Sequence, residues 1–267
     1  GFVSAWHAVE RVRTSQAAVA WAVGLVALPL VVVPLYWVFG RNRFAGYRDA
    51  TREVGKQHKE SVDAVRHELR TEPNARCHAH PTPVTVLADV LDTPLSTDNE
   101  FELLVDGQEF FDAVFELIAS AKKYLYVQFY ILRDDPLGNK FAEALVKAAQ
   151  SGVAVRQLYD EVGCLRLSRA YLRRLRDAGV EALAFNTRQG WANRFQINFR
   201  NHRKVVVADG ERAITGGLNV GEEYLGHLRW ASHWRDTGVR VDGPVARKLQ
   251  AVFAADYYWA TRRDLPE

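Results

Sequence analysis

Residues Asn201–Asn219 read NHRKVVVADGERAITGGLN, and the rest of the chain is organised around them. The polar skeleton is His202, Lys204, Asp209, Gly216-Gly217 and Asn219. Val205–Ala208 is a short β-branched run suited to a buried strand. Asp209-Gly210 is a turn dipeptide, and Arg212–Thr215 reads as the returning strand. Side chains at i and i+2 of a strand share a face, so His202 and Lys204 point the same way. The fold-back then brings Gly216, Gly217 and Asn219 near that imidazole and ammonium. A nucleophile or base, a cation, an amide and two glycines around one point suit a phosphate oxyanion. A lone His-x-Lys would more simply be a solvated surface hairpin; five positions agreeing in spacing argue for chemistry.

Upstream, Asn186–Arg200 is a basic, aromatic loop with Arg188, Trp191, Arg194 and Arg200. It suits single-stranded nucleic acid or an anionic membrane surface, with a solvated loop as the plain alternative. Downstream come Tyr224–Arg229, read as a lid or membrane-facing loop, and a strand over Trp234–Val241. Val245–Ala260 closes the domain as an amphipathic helix. Between Glu100 and Phe185 strand and helix patterns alternate. Phe101–Val105, Tyr124–Leu132, Val153–Tyr159 and Val180–Phe185 read as strands. Gln108–Ala121, Lys140–Gln150 and Ser168–Ala178 read as helices. This alternation predicts an α/β domain around a largely parallel central sheet. No GxGxxG or GKS/GKT loop occurs, against dinucleotides and P-loop nucleotides.

Further upstream, residues 41–99 read as a membrane-proximal helix (Gly46–Glu72) and linker. Cys77-His78-Ala79-His80 has no partner cluster at zinc-site spacing and sits between prolines, so it is read as linker. Ala17–Phe39 carries 23 residues without a charge. As one helix it would reach about 35 Å, enough for a hydrocarbon core of about 30 Å. A transmembrane helix is therefore expected over 17–40, after a basic lead-in at 1–16. Arg41, Arg43, Arg48, Arg52, Lys56 and Lys59 outnumber Arg11 and Arg13, which favours a cytoplasmic-facing body. Net charge of +3 creates no overall field for nucleic acid, and two cysteines are too few for a disulfide framework. Methionine is absent, at position 1 and elsewhere, so the chain is expected to be part of a longer product.

The His-x-Lys, Asp, Gly-Gly-x-Asn spacing resembles the HKD signature of the phospholipase D superfamily. The hydrophobic span, VQFYI at Val127–Ile131, FRNHRK at Phe199–Lys204, GGLN, and W-R-D ahead of VDGP are similar to the amino-terminal half of bacterial cardiolipin synthases. That resemblance implies an α-β-α sandwich with a central mixed sheet over 100–267, preceded by the transmembrane helix. It implies His202 as the nucleophile forming a phosphohistidine, with Lys204 and Asn219 on the nonbridging oxygens. Asp209 would support the hairpin away from phosphorus. Asp236 would orient His202 through its second ring nitrogen, or else be an exposed strand-end acid. Gly216, Gly217, Tyr130 and Arg200 are candidate substrate-binding residues. No metal or cofactor is implied.

The implied partners are phosphatidylglycerol, an anionic bilayer of the bacterial inner membrane, and a second HKD half from a carboxy-terminal segment or a homodimer partner; nucleic acid is not expected. The implied reaction joins two phosphatidylglycerols into cardiolipin with release of glycerol. A phospholipase D-type hydrolase or nuclease, and a catalytically silent lipid-binding module, are the alternatives.

Overall fold

The computed structural model describes residues 1–12, 14–40, 96–185, 200–226 and 234–266. In chain order the strands are β1 (Glu100–Val105), β2 (Tyr124–Phe129), β3 (Ala154–Asp160), β4 (Glu181–Phe185), β5 (Val205–Ala208), β6 (Arg212–Gly216) and β7 (Thr237–Asp242). The helices are α1 (Phe2–Arg11), α2 (Ser15–Ala27), α3 (Pro29–Leu35), α4 (Asp106–Ser120), α5 (Pro136–Gln150), α6 (Arg169–Asp177) and α7 (Val245–Thr261). The chain groups into two compact units, residues 1–53 with 186–201, and residues 54–185 with 202–267.

In the larger unit the seven strands form one sheet in the order β1-β7-β6-β5-β2-β3-β4. It is mixed, as the family resemblance implies, and not the largely parallel sheet read from the alternation alone. Only β2-β3 and β3-β4 are parallel. There a helix carries the chain back across the sheet, as parallel neighbours require. The β5-β6 hairpin pairs antiparallel with β2 on one side and β7 on the other, and β7 pairs antiparallel with β1.

β5 is buried along its length because both sheet faces are covered. Val206 and Ala208 join the core under α4, α5 and α6, while Val205 and Val207 join the core under α7. A doubly buried strand reads as a continuous apolar run, as Val205–Ala208 does.

The turn after β5 is closed by Glu211 N donating to Ala208 O (3.2 Å), with Asp209 and Gly210 both at positive φ (56° and 72°). Paired positive φ is what the type I′ hairpin turn demands, and Asp-Gly supplies it. The Asp209 carboxylate also accepts from the backbone amides of Lys122 (2.9 Å), Lys123 (2.8 Å) and Tyr124 (3.0 Å) at the entry to β2. Burial pushes this carboxyl up, but the three amides and the Arg212 charge pull it below its ordinary value.

Two expected strands are shorter than their patterns. β2 stops at Phe129, because Ile131 and Leu132 leave the ladder to meet Asn219 and Val220. β7 starts at Thr237, after Asp236 has paired with Asp106 through the backbone.

In the smaller unit the apolar run is not the single helix expected over 17–40. α2 ends at Ala27, Leu28 leaves helical geometry (φ −135°, ψ 61°) and Pro29 starts α3. A proline at the first position of a helix begins it rather than continuing one. Tyr36–Gly40 then adopts π geometry. Among the described residues no helix is long and apolar enough to cross a membrane. α1 packs on this run around Ala5, Ala8, Leu25 and Tyr36. Its outward side chains are largely apolar, with Phe2 80% and Leu30 92% exposed. The membrane-proximal helix and the Cys77–His80 cluster lie outside the described residues, as do 186–199 of the basic loop.

Asp209→Ala leaves three amides without their acceptor and is expected to lower stability by about 2 kcal/mol or more, read by urea unfolding. Asp209→Asn, which keeps one accepting oxygen, should lose less. Because the folded-state carboxyl is depressed, the wild-type margin should be present above the ordinary carboxylate pKa. It should disappear as pH falls through the depressed value, a dependence absent in Asp209→Ala.

Candidate active site

His202 enters β5 at the edge of the sheet where the parallel strands β2 and β3 end. The antiparallel register pairs Gln128 with Val205, so the residues just past β2 lie beside those just before β5. Tyr130 uses that position: its ring stacks on the His202 imidazole with centroids 3.9 Å apart and planes 21° from parallel. Lys204 shares the face, its Nζ lying 5.6 Å from the Tyr130 ring centroid. The ammonium donates to His202 O (2.7 Å), and Thr215 Oγ1 donates to Lys204 O (2.8 Å) across the hairpin. The i, i+2 rule therefore holds for His202 and Lys204, with Tyr130 as the common wall. Lys204 is half-buried, and burial lowers its pKa, while the Asp236 charge pushes it back up.

The two glycines clear space for neighbours in the protein. A Cβ on Gly216 would stand 2.8 Å from Gly238 Cα and 3.2 Å from the Phe110 ring. One on Gly217 would fall 2.3 Å from an Asp236 carboxylate oxygen. Gly217 thus lets Asp236 reach the Lys204 side of the hairpin. That carboxylate accepts from Thr237 N (2.7 Å) and, at 3.5 Å, from Trp234 Nε1. Asn219 is buried. Its Oδ1 accepts from Ile131 N (3.0 Å) and its Nδ2 donates to the Tyr224 hydroxyl (2.9 Å), which fixes the backbone next to Tyr130. Asp209 sits at the far turn of the hairpin. Arg200 belongs to the segment grouped with the smaller unit. The Tyr224–Arg229 loop begins in a 3₁₀ turn over Glu222–Leu225, and its residues 227–229 lie outside the described residues.

One group escaped the sequence reading. Asp256 on α7 is fully buried, and Arg203 Nη1 lies 2.6 Å from each of its carboxylate oxygens. Gln128 Nε2 donates to Asp256 Oδ2 (2.8 Å). Arg203 turns to α7 between His202 and Lys204, so this pair anchors the His202–Lys204 segment from behind. The signals were an acid among the buried Phe253 and Tyr257, and a glutamine inside the apolar strand Tyr124–Phe129.

A cation, an imidazole held by an aromatic face, and a neighbouring carboxylate form a site able to hold an anion against a nucleophile. Against that geometry the comparisons with known proteins are specific. Residues 114–257 match the family described as cardiolipin synthase, PLD-like domain, and the chain belongs to this family. A protein named cardiolipin synthase A from Pseudomonas fluorescens is 41% identical over 268 residues, covering 100% of this chain and 56% of the relative. One of the same name from Pseudomonas aeruginosa is 43% identical over 267 residues, covering 98% and 54%. The chain thus spans about half the length of these curated relatives. A solved phospholipase D family member, Nuc from Salmonella typhimurium, aligns with TM-score 0.46 at 20% identity, covering 64% of this chain and 100% of that one.

The electrostatic arrangement has a direct check in the 13Cε resonance of Lys204, followed through a pH titration. Its midpoint is expected below that of an ordinary lysine. Asp236→Asn removes the charge that favours the ammonium, so the midpoint should move lower still. A midpoint unmoved or raised in the variant would place Asp236 outside the field of Lys204.

Proposed function

We propose that this chain is the amino-terminal, histidine-bearing half of a membrane-bound phosphatidyltransferase that makes cardiolipin from two phosphatidylglycerols. The observation that carries the reading is the His202–Tyr130–Lys204 cluster, in a chain 41% identical to a protein named cardiolipin synthase A. In this reading a ring nitrogen of His202 attacks the phosphorus of the first phosphatidylglycerol. The P–N bond forms as the P–O bond to the headgroup glycerol breaks. The departing oxygen takes its proton from a general acid on a second histidine motif. A hydroxyl of the second phosphatidylglycerol then attacks phosphorus, returns a proton to that same group, and breaks the P–N bond. Covalent catalysis splits one hard displacement into two easier ones.

Lys204 offsets the charge that builds on the nonbridging oxygens. Its lowered pKa reflects partial burial, where a cation acts more strongly on an anion than it does in water. Asn219 is assigned to holding the backbone beside Tyr130, with its second amide proton left for a phosphoryl oxygen. Asp236 is assigned to keeping Lys204 charged, and its approach to the His202 ring belongs to the same proposal. Gly216 and Gly217 shape the pocket wall, and Arg200 is assigned to the lipid headgroup. The second motif comes from a carboxy-terminal half or a symmetric partner.

Attachment to the bacterial cell membrane, with the catalytic body facing the cytoplasm, is part of the proposal. The apolar outward side chains of α1, α2 and α3 support it. So does the excess of basic residues after Gly40.

The test is to follow lipids and free glycerol by mass spectrometry in phosphatidylglycerol-containing micelles. The chain is assayed with and without a co-expressed carboxy-terminal half, beside His202→Ala. Cardiolipin and glycerol should appear together when both motifs are present, and fall at least a thousandfold in His202→Ala. Phosphatidate with glycerol would instead define a hydrolase. Unchanged lipids under every condition would leave a binding module.

A further inference from the structure

The edge of the sheet that carries His202 also presents two apolar side chains to solvent, one on each side of the site. Leu165 follows β3 and is 77% exposed. Trp234 precedes β7 and is 46% exposed. Isolated surface apolar residues are ordinary and need no explanation. Here, however, Leu165 projects from a loop that is firmly held. Asp160 Oδ1 accepts from Val162 N (2.9 Å) and Gly163 N (3.0 Å), and Leu167 N donates to Cys164 O (2.9 Å). The buried Cys164 thiol accepts from Leu132 N (3.2 Å) and donates to Tyr130 O (3.6 Å). This loop is therefore fixed to the residue that stacks on His202. On the opposite flank Trp234 packs edge-on against Tyr224, with centroids 5.1 Å apart.

Charge is distributed to match. Arg166 and Arg169 are exposed where the loop passes into α6, and Arg173 lies one turn further along on the same face. Among the described residues these three have no carboxylate partner, whereas Arg156 pairs with Glu181 and Arg240 with Asp242.

From this arrangement we infer that the Leu165 loop and Trp234 are the two lips by which the site rests on an anionic bilayer, with Arg166, Arg169 and Arg173 against lipid phosphates. The inference rests on the phosphatidyltransferase reading for its lipid, and it adds the surface and the orientation. An aliphatic and an indole side chain, backed by arginines, match the layered chemistry of an interface. The leucine enters the acyl boundary, the indole takes the headgroup level, and the guanidiniums lie at the phosphates. The site then opens onto the plane in which a phosphatidyl group lies, so a lipid need not leave the membrane to reach His202. Single-stranded nucleic acid fits less well, since an exposed leucine offers no face on which a base can stack.

The test places a nitroxide at Leu165→Cys in the full chain carrying Cys77→Ser. Cys164 stays unlabelled, because burial pushes its thiol up to about 12 and hides it. A control label at Glu211→Cys reports the opposite edge of the sheet. In vesicles of phosphatidylglycerol and phosphatidylcholine in equal parts, the label at 165 should become open to oxygen and closed to a water-soluble nickel chelate. The label at 211 should stay open to the chelate. Arg166→Gln, Arg169→Gln and Arg173→Gln should each weaken the protection, by roughly fivefold per arginine.

A label at 165 as wet with vesicles as without them would overturn the inference. So would equal protection on pure phosphatidylcholine, or protection given by a single-stranded oligonucleotide in place of vesicles. Cardiolipin synthesis, measured on the same labelled chain with the carboxy-terminal half co-expressed, separates the two proposals. Protection without synthesis would remove the enzyme reading and keep the surface, and synthesis with a wet label would do the reverse.

Discussion

The antiparallel register of β5 on β2 is the constraint on which the site depends. It pairs Gln128 with Val205 and so brings the residues after β2 beside those before β5, where Tyr130 meets His202. A slip of one residue would turn every side chain of β5 to the other face. Three polar anchors, one at the turn and two at the other end, oppose that slip. At the turn, Asp209 holds the amides of Lys122, Lys123 and Tyr124. At the His202 end, Asn219 holds Ile131, and Asp256 holds Arg203 and Gln128. Each anchor is a carboxylate or carboxamide filled by backbone or side-chain donors, the condition under which a buried polar group stabilises rather than costs. The signature's aspartate thus acts on the site from the far end of a four-residue strand.

The hairpin was legible because its spacing is local. A β-branched run, an Asp-Gly turn and a glycine pair fix strand, turn and strand without knowledge of the rest of the chain. The handedness of pairing was not. Strand-helix alternation is common to parallel and mixed sheets, and nothing local in Arg212–Gly216 or Thr237–Asp242 says which strand lies alongside. The uncharged stretch from Ala17 to Phe39 shows a related gap. Composition counts residues, whereas Leu28 and Pro29 decide whether they form one helix or two.

The glycines carry a further lesson. Gly216 and Gly217 were read as room for a phosphate, yet they make room for Phe110, Gly238 and the Asp236 carboxylate. Their importance was visible in the sequence and their neighbours were not, because those come from α4 and from β7 and its lead-in, more than 100 residues upstream in one case. Asp256 was overlooked for the same reason: its partner Arg203 is 53 residues away in sequence. An acid within an apolar helical face is nonetheless a readable sign that a cation on another element reaches it.

Capture of the phosphatidyl moiety by His202, as proposed, can be caught by acid-free rapid quenching of the chain with phosphatidylglycerol, followed by peptide mass spectrometry. A phosphatidyl adduct is expected on the ring of His202, labile to mild acid as a P–N bond is, and absent from His202→Ala. An adduct on another residue, or synthesis proceeding with His202 unmodified at every time point, would contradict it.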